Sequence, residues 1–250
     1  MLTTDQLHTI MPELPAAKSA TLFPFLAAAI REFAIDSPAR TAAFLAQLAH
    51  ESAQFRFMEE IWGPTSAQQR YEPPAKLAAD LGNTEPGDGQ RFKGRGPIQI
   101  TGRANYQRFG ELLALDLLTD PARAALPEVA FRIAGLFWSK KGLNEIADVA
   151  TDDAFREITR RINGGFNGLA DRQRFYAVAR SVLEVPETRS TRGGSPATFG
   201  QRAQEPPFER GQKAIRADTR RRAAQRGSAA KKTARKATPA KRTHKRSRRG

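Results

Sequence analysis

The most informative stretch of the sequence is the run of ten residues AFLAQLAHES, at positions 43–52. A capping serine and a proline suited to the first helical position come shortly before it, so we predict a helix over about 38–52. Phe44, Leu48 and Glu51 fall at positions i, i+4 and i+7, on one face of that helix. The predicted helix therefore carries a carboxylate at the end of its apolar stripe.

The carboxyl of Glu51 is expected to be partly withdrawn from water, because it continues the apolar face. Burial of this kind raises the pKa of a carboxyl group and favours its protonated form. A protonated carboxyl in a cleft is suited to general acid catalysis, and His50 stands beside it to orient the site. The alternative is that Glu51 lies at a frayed helix end and simply reaches water.

Three further glutamates follow closely: Glu59, Glu60 and Glu72. On a continuous helix Glu60 would lie about 900° further round than Glu51, on the opposite face. The two carboxyls can converge only if the helix ends near 52–55 and the chain turns back. Two carboxyls across a cleft, one acid and one base, are the machinery of glycoside hydrolysis. The alternative is that these are solvated surface acids.

A glycine-rich segment, GRGPIQITG, occupies positions 94–102. It matches neither of the glycine-rich patterns that cradle nucleotide phosphates. Its alternation of apolar and polar residues predicts a short strand in which Gln99 and Thr101 share one face. An amide and a hydroxyl so placed can recognise sugar hydroxyls and N-acetyl groups, or hold a water. An ordinary edge strand with polar residues facing solvent is the alternative.

Two more polar residues come late in the helical part of the chain. Asn163 ends a predicted helix and is interpreted either as a cap or as an amide lining a cleft. Arg172 opens the next helix, where it either pairs with a catalytic glutamate or reaches the surface. Between the early and late helices, residues 62–96 predict a long loop region, with room for a short hairpin. The later helices are predicted at about 103–117, 121–141, 151–162 and 171–184.

Charge divides the chain into two parts. The formal charge is +15, but residues 1–186 hold 21 basic and 22 acidic side chains, whereas residues 187–250 hold 20 and 4. Residues 186–218 are rich in Gly, Pro, Arg and Ser and predict a linker. Residues 219–250 hold 14 Lys and Arg, no acidic residue and no apolar residue larger than alanine. Such a segment cannot bury enough surface to fold, so we predict a disordered basic tail.

Several classes of protein are excluded by composition. There is no cysteine, which rules out a disulfide framework and cysteine-ligated metal sites, and the three histidines are scattered. No apolar run approaches roughly 18 residues, so we expect no transmembrane helix. The first ten residues place no Lys or Arg ahead of an apolar stretch, so we expect no Sec signal and synthesis in the cytoplasm. No cofactor or metal is predicted.

Three stretches together resemble the catalytic domain of glycoside hydrolase family 19, which comprises plant-type chitinases and related phage and bacterial cell-wall lysins. They are residues 43–52, residues 87–102 with Asn105-Tyr106, and residues 162–165 with Asp171-Arg172. The resemblance covers about residues 1–185. It implies a mainly α fold, a lysozyme-like α+β bilobal helical domain with a small β-hairpin and loop region.

The resemblance also implies an inverting reaction, in which Glu51 protonates the leaving glycosidic oxygen and a second glutamate activates a water. The nine-residue spacing of the lysin-like branch indicates Glu60 as that base, whereas the wider spacing of the plant-type branch points to Glu72. The implied substrates are β-1,4-linked polymers of N-acetylglucosamine, peptidoglycan or chitin. The substrate-binding and supporting residues that it implies are His50, Gln99, Thr101, Asn105, Tyr106, Asn163 and Arg172.

The basic tail keeps a second hypothesis open. Its composition resembles that of histone linker tails, which bind phosphate backbones without sequence preference, so the chain could act as a polyanion- or nucleic-acid-binding protein. For an enzyme, the tail over 219–250 would dock to an anionic envelope polymer, bind nucleic acid, or have no partner. We expect a monomer that reaches the cell wall after phage-type lysis or by a non-Sec route.

Overall fold

Helices account for nearly all of the regular structure in residues 1–186, which are the residues that the computed structural model describes. The predicted linker beyond Pro186 and the basic tail over 219–250 lie outside them. The mainly helical prediction is confirmed for the described part. The elements, in chain order, are α1 (Thr4–Ile10), α2 (Ala16–Glu32), α3 (Pro38–Glu51), α4 (Ser66–Gln69), α5 (Lys76–Asp80), α6 (Asp88–Arg91), α7 (Arg103–Leu113), a 3-10 helix (Pro121–Ala125), α8 (Pro127–Lys140), α9 (Leu143–Ala147), α10 (Asp152–Asn163) and α11 (Leu169–Val182).

Helix α3 is buried along most of its length. It begins as predicted, with Pro38 in its first turn and the Ser37 hydroxyl accepting a hydrogen bond from the Arg40 N–H at 3.2 Å. Every residue over 41–49 is buried, because α11 packs along this helix and α9 contacts it. The helix ends at Glu51, which therefore lies where a buried element meets the surface.

The other long helices contact one another or α11. Helix α2 packs against α8, and α1 contacts both α2 and α11. Aromatic pairs join these layers: Phe44 meets Trp138 edge-on at 5.3 Å between ring centroids, and Phe155 stacks on Tyr176 at 4.0 Å. Such pairs add to the stabilisation that comes from burying the rings. Within residues 1–186, no helix is both long and apolar enough to cross a lipid bilayer.

The single helix predicted over 121–141 is wrong. A 3-10 helix occupies Pro121–Ala125, and α8 begins only at Pro127. The break falls at Leu126, which has φ −64° and ψ 133°. A residue that precedes proline is driven from the helical to the extended region by steric clash, so Pro127 both interrupts one helix and starts the next.

The loop region contains more helix and less strand than predicted. Three short helices, α4, α5 and α6, lie within it, and the described residues form only isolated antiparallel bridges, Glu59 with Arg95 and Arg95 with Ile100. The predicted hairpin is thus reduced to two backbone hydrogen bonds between Arg95 and Ile100, at 3.1 and 3.0 Å. Gln99 has φ 53°, which breaks the strand alternation expected to align it with Thr101.

Candidate active site

Glu51 is held at the end of α3 by a buried arginine. Its side chain is 6% exposed, and its carboxylate accepts a hydrogen bond from Nη2 of Arg172, whose own side chain is fully buried in α11. Nη1 of the same guanidinium donates to the side-chain oxygen of Gln47, one turn earlier on α3. A guanidinium presents its donors in a rigid fork, so Arg172 fixes the glutamate and the glutamine together.

The support extends through a third helix. The Gln47 amide donates to the hydroxyl of Thr159 on α10 at 2.8 Å, and that hydroxyl donates to the Phe155 carbonyl at 3.1 Å. Each buried polar group in this series has a partner, which makes the network rigid. Gln47 and Thr159 were not singled out from the sequence. The available signal was a glutamine four residues before Glu51, on the same side of the helix.

His50 is oriented by α11 as well. Its Nδ1 lies 2.6 Å from Oδ2 of Asp171, whose other oxygen accepts a hydrogen bond from Arg174 at 2.7 Å. Burial alone would raise the pKa of Asp171, but the hydrogen bonds from Arg174 and His50 outweigh it and lower that pKa. Asp171 is therefore a negative partner for His50.

Glu60 is held by loop residues and by the short helix α4 rather than by the long helices. Its Oε2 accepts a hydrogen bond from the Gly94 N–H at 3.0 Å, and its Oε1 accepts from the Gln68 amide at 3.1 Å and the Tyr71 hydroxyl at 3.4 Å. Its own N–H donates to the Gly94 carbonyl at 2.8 Å. Gln68, Tyr71 and Gly94 were not predicted as partners of Glu60, because nothing local to Glu60 indicates which loops fold over it.

Gly94 is the point at which three predicted site residues meet. A Cβ atom at this position would lie 2.7 Å from the Gln99 side-chain oxygen, 3.3 Å from the Thr101 hydroxyl and 3.4 Å from Oε2 of Glu60. Any larger residue would therefore push these groups apart. The structure thus brings Glu60, Gln99 and Thr101 together around one glycine, although not through the predicted strand.

An ion pair beside Glu60 ties the two loop segments together. Arg95 is almost fully buried and donates from Nε to Glu59 at 2.9 Å. Its Nη1 donates to the Tyr106 hydroxyl at 2.8 Å, and that hydroxyl donates to the Lys93 carbonyl at 2.6 Å. Burial raises the pKa of Tyr106, so the hydroxyl stays protonated and keeps both bonds.

Four residues of the predicted substrate-binding and supporting set are buried supports. Thr101, Asn105, Tyr106 and Arg172 are at most 2% exposed. The Asn105 amide donates to the Thr101 carbonyl at 2.5 Å and so fixes the glycine-rich segment from below. These side chains offer no surface that a sugar could reach, so of the two predicted roles they fit the supporting one and not direct contact with substrate. His50 and Gln99 are the predicted binding residues that remain partly exposed.

Asn163 differs from these supports. It is the last residue of α10 and is buried, yet its Nδ2 has no hydrogen-bond partner among the described residues. Gly164, with φ 64°, occupies the C-cap position, so the glycine rather than Asn163 terminates the helix. A buried amide with an unsatisfied donor is rare, so Asn163 is neither the cap of the helix nor part of the supporting hydrogen-bond network described above.

Glu72, the alternative second glutamate, serves the fold of its own loop. Its Oε2 accepts a hydrogen bond from the Gly87 N–H at 2.8 Å, and its Oε1 accepts from the Gln90 N–H at 3.3 Å. Both donors lie at the start of the short helix α6. The carboxylate of Glu72 is thereby directed to the backbone of that turn.

A family model described as chitinase class I matches residues 16–151. The chain belongs to glycoside hydrolase family 19. The match includes Glu51, Glu60 and the glycine-rich segment, whereas Asn163 and Arg172 lie beyond it. The family predicted from the three sequence stretches is therefore confirmed.

Relatives of this family 19 chain include plant and bacterial proteins. An endochitinase of Arabidopsis thaliana is 42% identical over 125 residues, which are 50% of this chain and 38% of that protein. A glycosyl hydrolase family 19 domain-containing protein of Haemophilus influenzae is 35% identical over 159 residues, or 54% of this chain and 76% of its own length. The chain thus spans about two fifths of the plant relative.

Solved structures confirm the lysozyme-like fold of the family. Chitinase C from Streptomyces griseus matches with a TM-score of 0.57 at 22% identity, over 73% of this chain and 92% of that one. A bacterial family 19 chitinase matches with a TM-score of 0.57 at 20% identity, over 74% and 95%. At these identities the likeness establishes the fold.

Proposed function

We propose that this family 19 domain is an inverting glycosidase that cleaves β-1,4 bonds in polymers of N-acetylglucosamine, with Glu51 as general acid and Glu60 as general base. The observation that carries the proposal is the pair of rigid, separate supports. Buried Arg172 fixes one carboxyl, and the Gly94 N–H fixes the other. Two carboxyls so fixed suit a reaction that needs a proton donor and a proton acceptor at the same bond.

The acid step uses the environment of Glu51. Glu51 takes up a proton from water before the reaction and gives it to the glycosidic oxygen as the bond from that oxygen to the anomeric carbon breaks. The carboxylate that remains is stabilised by the Arg172 guanidinium, at the end of a buried helix where hydrogen bonds to ionised groups are strong. His50, held by Asp171, lies next to this carboxyl along the chain.

The base step uses the environment of Glu60. The ionised carboxylate takes a proton from a water, whose oxygen attacks the anomeric carbon from the face opposite the leaving group. One water is consumed, and the configuration at that carbon is inverted. The side chains of Gln99 and Thr101 converge near Glu60, so the partly exposed Gln99 is suited to orient the water or the N-acetyl group.

Glu60 is preferred to Glu72 because of what each carboxylate binds. Both carboxylates accept hydrogen bonds at both oxygens, but the donors to Glu72 are backbone N–H groups at the start of α6, away from Gln99 and Thr101. Glu60 instead lies among the polar groups gathered at Gly94. The nine-residue spacing between Glu51 and Glu60 also agrees with that implied by the resemblance to the lysin-like branch of the family.

Two polymers, peptidoglycan and chitin, are predicted as alternative substrates. The lysin-like spacing favours peptidoglycan, while the plant and Streptomyces relatives are named as chitinases. Action on the wall after lysis or non-Sec export, a monomeric state, and binding of anionic polymers by residues 219–250 are likewise predictions. Nothing in the described residues favours the nucleic-acid-binding alternative over the enzyme.

The test is the Glu51→Gln variant, assayed on chitohexaose and on purified peptidoglycan. We expect the variant to fold normally and to lose about 10²–10⁴-fold in rate on the substrate that the wild type cleaves, because amide nitrogen cannot supply the proton. Glu128→Gln, at an exposed position in the first turn of α8, is the matched control and should keep the full rate. A Glu51→Gln variant as active as the control would overturn the assignment.

A further inference from the structure

The chain between the two proposed catalytic glutamates passes through an unusual turn. Ala53, Gln54 and Phe55 have φ values of 49°, 59° and 60°, which are left-handed, and none of them is glycine. Residues with a Cβ rarely adopt this region, and they do so as single residues rather than in succession. Three in a row mark a strained segment that the surroundings must hold in place.

Local hydrogen bonds close the turn onto α3. The Ser52 hydroxyl donates to the Leu48 carbonyl at 2.7 Å and accepts from the Phe55 N–H at 2.8 Å. The Gln54 N–H donates to the Ala49 carbonyl at 2.8 Å. These bonds close the turn against the last turn of α3, directly after Glu51.

Two further contacts fasten the turn to other parts of the fold. The side-chain oxygen of Gln54, a residue only 6% exposed, accepts a hydrogen bond from the Glu13 N–H at 2.9 Å, in the link between α1 and α2. The ring of Phe55 packs edge-on against Phe131 of α8 at 5.2 Å. A buried hydrogen bond and an aromatic contact thus hold the strained conformation from two sides.

We propose that Gln54 is a positioning residue for the hydrolytic reaction, which sets the place of Glu60 relative to Glu51 through its hydrogen bond to the Glu13 N–H. The inference rests on the proposed function. Loss of this bond lets the strained turn relax, and the chain that leaves the turn carries Glu60. Glu51 itself stays on α3, where Arg172 holds it. Relaxation of the turn therefore changes the position of the Glu60 carboxyl relative to the Glu51 carboxyl.

A second contact joins the turn segment to the link between α1 and α2, and its loss should not change catalysis. Arg56 donates to the Glu13 carboxylate at 2.6 Å, but both side chains are largely exposed. Exposed ion pairs contribute little to structure. Arg56→Ala therefore removes a contact between the same two segments without touching the buried bond, and it serves as the matched control.

The experiment compares Gln54→Met, which keeps the side-chain length but has no oxygen acceptor, with Gln54→Glu, which keeps an acceptor. Both are made in the full chain and assayed on the substrate that the wild type cleaves. We expect Gln54→Met to lower kcat by about tenfold while KM is unchanged, because small misplacements of catalytic groups are costly. Gln54→Glu should restore most of kcat, and Arg56→Ala should leave both constants at the wild-type value.

A third variant covers the case in which Gln54→Met does not fold. Gln54→Gly also removes the acceptor. Glycine relieves the strain at position 54 alone, so the variant should fold, and the strain that remains at Ala53 and Phe55 should still let the turn relax and lower kcat. Wild-type kcat in either folded variant overturns the proposal, as does an equal loss of kcat in Gln54→Met and Gln54→Glu. The proposed function is judged separately, since it fails if Glu51→Gln remains active. An inactive Glu51→Gln with wild-type kcat in Gln54→Met overturns the positioning role alone.

Discussion

The two proposed catalytic carboxylates depend on different kinds of support. Glu51 ends a buried helix and is held by side chains of α3, α10 and α11 through Arg172. Glu60 lies in a loop and is held by backbone groups of Gly94 together with the side chains of Gln68 in α4 and Tyr71 just after it. The first support is part of the hydrophobic core, and the second is a matter of loop geometry. Damage to the first should affect folding and catalysis together, whereas damage to the second should affect mainly catalysis.

The largest effect is expected for Arg172→Met. The substitution removes the buried guanidinium, so the Glu51 carboxylate and the Gln47 side-chain oxygen both lose their hydrogen-bond donor. Removing one partner of a buried ion pair costs about 3–5 kcal/mol in stability, because the remaining charge is uncompensated. We expect that loss in urea unfolding, together with a fall in kcat of about 10²-fold as the carboxyl loses its fixed position.

Arg174→Met provides the control for this prediction. Arg174 lies two residues further along α11 and pairs with Asp171, but its side chain is 66% exposed. An exposed pair contributes about 0–1 kcal/mol, so this variant should unfold near the wild-type urea concentration. If Arg172→Met were no less stable than Arg174→Met, the acid would not depend on the core as argued.

Gly94→Ala tests the other half of the comparison. The added Cβ would approach Gln99, Thr101 and Glu60 within 3.4 Å, so these groups must move. We expect kcat to fall by about tenfold, with little change in the urea midpoint, because the displaced groups belong to a loop and not to the core. Steady-state kinetics and urea unfolding of the same preparation separate the two effects.

Gly63→Ala is the matched control, because a Cβ at Gly63 meets nothing within 4 Å. That variant should behave as the wild type does in both measurements. A loss of stability in Gly94→Ala as large as that in Arg172→Met would erase the distinction between the two supports. So would a wild-type kcat in Gly94→Ala.

The sequence predicts the acid side better than the base side for a physical reason. The serine cap, the proline and the apolar spacing that define α3 all lie within a few residues of each other, so they place Glu51 on the buried face. The arginine that completes the support is 121 residues away from Glu51. The sequence leaves Arg172 with two alternatives, and only the packing of α11 along α3 decides between them.

Around Glu60, the local sequence pattern does not predict how the side chains are arranged. Alternating residues predicted a strand, yet Gln99 is left-handed, and its meeting with Thr101 comes from the way both side chains surround Gly94. A family match places Asn105 and Tyr106 near the site, but it gives no measure of their exposure. Both proved to be buried, because the glycine-rich segment folds over them.

Asp88→Asn measures how much one buried ion pair stabilises the loop region that precedes the glycine-rich segment. The buried Asp88 carboxylate accepts hydrogen bonds from Arg103 at 2.8 and 2.6 Å and from the Thr84 and Glu85 N–H groups at 2.9 and 3.1 Å. Burial alone would raise the pKa of Asp88, but these hydrogen bonds outweigh it and lower that pKa. We expect Asp88→Asn to lose about 1–2 kcal/mol at neutral pH.

The pH dependence of that loss follows from the lowered pKa. Ionised Asp88 is favoured in the folded state, so its contribution is complete above the unfolded value of 3.8 and disappears as the pH falls through the lower folded value. The wild type and Asp88→Asn should therefore differ at neutral pH and converge only as the pH falls from 3.8 through the lower folded pKa. Urea unfolding across this range measures the gap, and a gap independent of pH would contradict the ion-pair explanation.

The smallest effect is expected for Ala114→Gly, which measures backbone strain away from both supports. Ala114 is exposed, caps the C-terminus of α7 and has φ 54°, a left-handed conformation like that of the turn after Glu51. Glycine adopts this region without the steric penalty, although it also gains freedom in the unfolded chain, so we expect a net stabilisation of about 0.5–1 kcal/mol. Because Ala114 touches neither carboxylate, kcat should be unchanged. A change in kcat in Ala114→Gly would mean that backbone strain far from the site also affects catalysis. The strain in the turn at 53–55 would then not be specific to the placement of Glu60.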